Sequence, residues 1–218
     1  MECKGFLFDL DGTLVDSLPA VERAWSNWAI DHDIAPQTVL DFIHGKQAIT
    51  SLRHFLAGAS EETIQREFVE LEQVEATDTA GIVAMPGAQA LLTRLDELDI
   101  PWAIVTSGTV PIAHARHREA GLSAPREFIT AEQVARGKPN PDAYLLGAER
   151  LGLSPAECVV VEDAPAGVLS GLAAGCKVIA VKAPADTPRL DEVDAALSSL
   201  EQLQISLTAD GWVTITLK

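Results

Sequence analysis

"FLFDLDGTLVDS", Phe6 to Ser17, opens as an apolar run and then sets three acids, Asp9, Asp11 and Asp16, within eight residues. A short apolar run bounded by turn residues reads as a strand buried on both faces. Asp9 and Asp11 follow directly, beside Gly12 and Thr13. Carboxylates this close repel one another, and their desolvation is costly unless a cation or a proton separates them. The stretch therefore implies a chemical site at the end of a buried strand.

Outward from this strand the same apolar signature recurs in "PWAIVTS", "ECVVVED" and "CKVIAVK". Amphipathic segments lie between these runs, at 87–98, 111–120, 141–151 and 165–174, several with proline near the start, where it suits the first helical turn. Strand and helix in alternation predict an α/β fold: a Rossmann-like parallel sheet covered on both faces. The C-terminal "LTADGWVTITL" predicts a hairpin about Asp210-Gly211, added late at an edge.

One segment breaks the alternation. From about Leu18 to Ala84 the periodicity is helical throughout, in "PAVERAWSNWAIDHD", "QAITSLRHFLAG" and "EETIQREFVELEQVEA". Ser60 is placed to cap the last of these, with Glu61 and Glu62 at its positive end. Met85-Pro86-Gly87 marks the return to the sheet. The expected organisation is a catalytic core of residues 1–16 and 85–218 and a helical cap of residues 17–84, with the hinge at Asp16 and Ser17.

Ligands of open parallel sheets bind at the carboxyl ends of the strands. That edge collects Asp9 and Asp11, then Thr106, Ser107 and Gly108, then Lys138 before Pro139, and finally Glu162 and Asp163. Carboxylates, small hydroxyl donors and one lysine suit a phosphate held against a divalent cation. Asp9 and Asp163, with the Asp11 backbone carbonyl, form an oxygen set suited to Mg²⁺. Asp9 is then the nucleophile and Asp11 the acid and base. Thr106, Ser107 and Lys138 bind the transferring oxygens, while Gly12 keeps the turn clear and its amide available.

In order, Asp9-Leu10-Asp11-Gly12-Thr13-Leu14, Thr106-Ser107-Gly108, Lys138-Pro139 and Glu162-Asp163 resemble the four motifs of the haloacid-dehalogenase-like hydrolases. The inserted helices resemble that family's C1 α-helical cap, and the similarity to its bacterial sugar phosphatases spans nearly the whole chain. The resemblance implies Mg²⁺-dependent hydrolysis of a small sugar or polyol phosphate. Two relatives within the family compete with that reading. Phosphonate-cleaving members use a cap lysine as a Schiff base, and Lys46 is the one lysine between Ser17 and Ala84. The β-phosphoglucomutase-like branch shares the motifs, but carries a histidine where this chain has Val21 and a lysine in the helix that is Glu61–Ala76 here. Both absences favour water as the acceptor. A catalytically silent binding module would be expected to lose the nucleophile or the metal acid, and Asp9, Asp11, Lys138 and Asp163 all stand.

The remaining features bound the function. Acids exceed bases by 32 to 16, a formal charge of −16, which disfavours nucleic acid and anionic membranes as partners. No apolar run reaches membrane-spanning length, and a monomer in the cytoplasm is expected. Cys3, Cys158 and Cys176 are an odd, scattered set that reads as buried free thiols. In the acidic cap, His44, Gly45 and Lys46 form the most electropositive short stretch, which is expected to face the site and contact the substrate. The alternative is a loop that only caps the helix beginning near Gln47. His114 and His117 lack a third ligand and read as a solvated helix face, and Trp25 and Trp28 read as cap core, with one free to line its inner face.

Overall fold

The protein is described here by a computed structural model covering residues 1–218. The chain opens with β1 (Glu2–Cys3), β2 (Gly5–Phe8) and β3 (Val15–Asp16). Four helices follow, α1 (Leu18–Asp31), α2 (Pro36–Ile43), α3 (Ala48–Phe55) and α4 (Glu61–Thr77). β4 (Val83–Ala84) returns the chain by pairing antiparallel with β3. Then α5 (Ala88–Glu97), β5 (Trp102–Val105), α6 (Val110–Glu119), β6 (Glu127–Ile129) and α7 (Asp142–Arg150) alternate. β7 (Cys158–Glu162), α8 (Pro165–Ala174), β8 (Lys177–Val181) and β9 (Ala195–Leu197) complete the alternation, and β10 (Leu203–Leu207) with β11 (Val213–Leu217) ends the chain.

Six strands form one parallel sheet in the order β6-β5-β2-β7-β8-β9. The chain steps to opposite sides of β2, so the crevice at its carboxyl end is the switch point where such sheets bind ligands. Side chains alternate strictly: Phe6, Phe8, Val159 and Val161 pack with α5, α6 and the C-terminal hairpin. Leu7, Val160 and Val178 pack on the other face, against α7 and α8. This is the expected fully buried sheet. The hairpin differs from its expectation. It belongs to a separate antiparallel sheet, β1-β11-β10, and buries Val213 and Ile215 over a face rather than extending an edge.

The inserted helices hold a third apolar cluster, including Trp25, Trp28, Val39, Leu52 and Leu71. Ser60 caps α4 as expected, its hydroxyl accepting from the Thr63 amide at 3.2 Å. The two-residue ribbon of β3 with β4 was not visible as strand in the sequence; it ties together the two points where the chain leaves and rejoins the sheet. The three cysteines are buried and unpaired, and burial pushes each thiol up to about 12. Protonated, buried thiols are poor nucleophiles. His114 is exposed and stacks on Phe128, whereas His117 is half-buried with Nε2 2.9 Å from Ser123 O, so only the first lies on a solvated face. No helix is long and apolar enough to cross a membrane.

Candidate active site

The Asp9 amide donates to Val161 O, extending the β2–β7 ladder by one residue and fixing the Asp9 backbone at the sheet's edge. Its side chain meets Lys138, whose ammonium donates to Asp9 Oδ1 at 2.6 Å, Glu162 Oε1 at 2.6 Å and Val105 O at 2.9 Å. An ammonium has three hydrogens, and all three are used here. Lys138 therefore grips the nucleophile candidate first, rather than presenting free donors to a phosphate as its sequence position suggested. Burial works to lower its pKa, but Asp9 and Glu162 more than offset this and hold it above the usual lysine value.

Glu162 lies fully buried on the same lysine, and every contact it makes is as an acceptor. Oε1 also takes the Tyr144 hydroxyl at 2.7 Å, and Oε2 takes the amides of Asp163 at 3.1 Å and Ala164 at 3.2 Å. Its oxygens are thus occupied by protein donors. Asp9, Glu162 and Asp163 bring carboxylate oxygens within 4.8 Å of one another. Because Glu162 is spoken for, Asp9 and Asp163 are the carboxylates with capacity for an ion. Burial, reinforced by Glu162, pushes both of their pKa values up, with Lys138 pulling down. Three carboxyl groups share one ammonium, ionisation of the pair Asp9 and Asp163 is opposed until further positive charge arrives, and the cluster's donors are all hard oxygens. That chemistry fits a divalent cation such as Mg²⁺.

The turn between Asp11 and Val15 depends on Gly12. Its φ is +87°, and a Cβ there would lie 2.1 Å from Asp163 Oδ2. Its amide donates to Val15 O at 2.8 Å, so it serves the turn and is not available to a ligand as expected. Thr13 Oγ1 donates to Asp163 Oδ1 at 3.2 Å, which aims that carboxylate. On the far side of β2, Thr106 Oγ1 accepts the Gly108 amide at 3.0 Å, closing the loop after β5.

The helices of the insert lie over this edge and enclose a cavity of about 270 Å³. Asp9, Asp11, Thr106, Ser107, Gly108 and Asp163 line its floor, and Val21, Trp25, His44, Gly45, Lys46 and Phe68 line its roof. Lys138 lies beneath the floor, touching the cavity only through Asp9. Ser107 Oγ donates to Gly45 O at 3.0 Å, a direct bond between the sheet domain and the insert. Gly45 has φ +74°, and a Cβ would come 2.7 Å from that of Ala164, so only glycine lets the loop approach this closely. Lys46 Nζ donates to Phe42 O at 2.6 Å and sits 3.7 Å from the Phe42 ring centroid. It therefore caps the carboxyl end of α2, the helix before the loop rather than the one after it, while still lining the cavity. Burial lowers the pKa of both His44 and Lys46.

Two further residues line the same cavity without having stood out in the sequence. Arg116 of α6 donates to Asp11 Oδ1 at 2.9 Å, and its other terminal nitrogen lies 3.4 Å from Glu75 of α4. Both are almost fully buried, and burial pushes Glu75 up to about 7 against the pull of Arg116. Ser17 Oγ donates to the same Asp11 oxygen. The available signal was positional: Arg116 follows Ile112 by four residues and Glu75 follows Leu71 by four, so each charge falls on an apolar helical stripe.

Comparison with known proteins agrees with this geometry. The family described as haloacid dehalogenase-like hydrolase matches residues 3–175. Hexitol phosphatase A of Escherichia coli (strain K12) is 71% identical over 215 residues, covering 99% of this chain and all of that protein. Glycerol-1-phosphate phosphohydrolase 2 of Saccharomyces cerevisiae is 34% identical over 197 residues, 85% of this chain and 77% of its own. The crystal structure of β-phosphoglucomutase from Clostridium difficile superposes with a TM-score of 0.84 at 23% identity, covering 93% of each chain, a likeness of fold. With its motifs gathered at one sheet edge beneath an inserted helical cap, the chain belongs to the haloacid dehalogenase-like hydrolases.

Proposed function

We propose that this chain hydrolyses phosphate monoesters of small sugars or sugar alcohols through a phosphorylated Asp9. One observation carries the reading: at the carboxyl end of β2, Asp9 and Asp11 face one cavity, Asp9 held by Lys138 and Asp11 by Arg116. The 71% identity to a hexitol phosphatase over essentially the whole chain supports the same substrate class.

An oxygen of Asp9 attacks phosphorus as the ester P–O bond breaks, giving an aspartyl-phosphate and a sugar alkoxide. Lys138 on Oδ1 leaves the other carboxylate oxygen for the attack. Asp11 delivers a proton to the leaving alkoxide, then takes one from water as that water attacks the aspartyl-phosphate, releasing inorganic phosphate and restoring Asp9. Thr106, Ser107 and Gly108 border the cavity where the phosphoryl oxygens sit. Asp9 and Asp163, with the Asp11 carbonyl, would hold Mg²⁺, which supplies positive charge against the phosphoryl oxygens and relieves the repulsion among the carboxylates. The cap loop His44–Lys46 encloses the substrate and excludes water from the first step.

The test is phosphate release by purified protein on a panel of hexose, pentose, hexitol and glycerol phosphates, with Mg²⁺ and with excess EDTA. Release that chelation abolishes and Mg²⁺ restores is the expected result. Conversion of one phosphate regioisomer into another without release would make the chain a mutase. Inactivity towards the whole panel would overturn this substrate class.

The cap loop yields a separate expectation. Lys46→Ala removes a cation from the cavity wall and a cap from α2, but touches neither Asp9 nor Asp11. KM should rise by about three- to thirtyfold, with a smaller fall in kcat. Steady-state kinetics on the best panel substrate checks this, and unchanged kinetics on every sugar phosphate refutes a substrate role for Lys46.

A further inference from the structure

Arg116 is a buried charge that takes no direct part in the bond-making steps of the proposed reaction. One of its terminal nitrogens donates to Asp11 Oδ1 at 2.9 Å and the other lies 3.4 Å from Glu75 Oε1. Its Nε is buried with no partner, an uncommon and costly state for a guanidinium. Replacing a buried ion pair by apolar side chains is often neutral or stabilising, so stability alone is a weak reason for these charges. The second donor to Asp11 Oδ1 is Ser17 Oγ, from the segment where the chain enters the insert. Two donors from different elements thus converge on one oxygen of Asp11. They fix the plane of the Asp11 carboxylate through Oδ1 and leave Oδ2 without a protein donor.

The partners of Arg116 come from both parts of the molecule. Asp11 lies on the sheet's edge, whereas Glu75 belongs to α4, which packs against α6. We propose that Arg116 is a positioning residue for Asp11, held in register by Glu75, so that docking of the inserted helices completes the proton-transfer geometry. The inference rests on Asp11 acting as the general acid. Asp11 without Arg116 keeps Ser17 but loses one of two constraints on its carboxylate plane. Misplacing a proton donor raises the barrier most where the leaving oxygen is most basic.

A series of substituted phenyl phosphates tests this directly, because its members differ in leaving-group basicity and little in size. In Arg116→Met, kcat/KM for 4-nitrophenyl phosphate should fall least, and that for unsubstituted phenyl phosphate about tenfold further, steepening the dependence on leaving-group pKa. Arg116→Lys should restore part of the original slope, and Glu75→Gln should steepen it less than Arg116→Met. Thermal melts show which variants fold; if Arg116→Met does not, Arg116→Lys and Glu75→Gln carry the comparison. An equal loss across the series, or no loss, overturns the inference, since a structural or phosphate-binding role shifts the line without tilting it. Asp11→Asn separates the two levels. If it leaves the slope unchanged, the reading of Asp11 as the acid fails; if it steepens the slope and the Arg116 variants do not, only the positioning role fails.

Discussion

Asp9→Asn is expected to lower kcat by about 10⁴-fold or more on any phosphate monoester, while the protein stays folded. The amide keeps the size of the carboxylate, and its oxygen can still accept from Lys138 Nζ, so the packing of β2 against β7 is undisturbed. What it loses is the anionic oxygen that, in the proposed mechanism, attacks phosphorus. Stability should hold or rise, because Asp9 is buried beside Glu162 and Asp163, and both carboxylates oppose its ionisation. A melting temperature equal to or above that of the wild type, together with lost turnover, separates chemistry from folding. Acid-quenched wild-type protein should carry one phosphoryl group on the peptide containing Asp9, detected by mass spectrometry, and the variant should carry none. Turnover of Asp9→Asn above about one hundredth of wild type would sink the mechanism.

Much of the candidate site is legible in the sequence, for a physical reason. Buried parallel strands must be apolar on both faces, so each ends abruptly where the chain meets the ligand crevice, and the acids after Phe8 and Val161 mark those ends. Strands β6 and β9, three residues each at the two margins of the sheet, carry too little pattern to read. The C-terminal hairpin was visible as a hairpin because alternation and Asp210-Gly211 are local signals. Its placement over a face is a tertiary matter that local pattern does not encode. Arg116 and Glu75 were missed because a charge on a helix is ordinarily a surface charge, and only pairing across the two parts of the chain makes these two tolerable inside. Likewise the number of acceptors around Lys138 cannot be counted from sequence, so its primary engagement with Asp9 and Glu162 emerged only from the distances.

That engagement makes Lys138→Met the substitution with the largest joint effect on stability and activity. Methionine fills the space but withdraws three hydrogen bonds at once, from Asp9, Glu162 and Val105 O. Glu162 keeps Tyr144 and the two backbone amides, so its position is partly preserved. Asp9 keeps no positive neighbour of comparable closeness. Removing one partner of a buried ion pair costs about 3–5 kcal/mol, which lowers the melting temperature by on the order of 10 °C in a chain of this size. The loss should depend on pH with a definite sign. Asp9 already ionises above its usual range, and Lys138 is the group that pulls it back down, so the variant's Asp9 moves higher still. A folded state that binds its proton more tightly than the unfolded state loses stability as pH rises above the ordinary aspartate pKa. The deficit of Lys138→Met relative to wild type should therefore shrink as pH is lowered from 8 towards about 5, although kcat does not recover, because a protonated Asp9 is no nucleophile. Differential melts across that range, without added metal, give the comparison. A deficit that is constant or larger at low pH would mean that Lys138 supports the fold through packing, and that its charge is not what holds Asp9 ready.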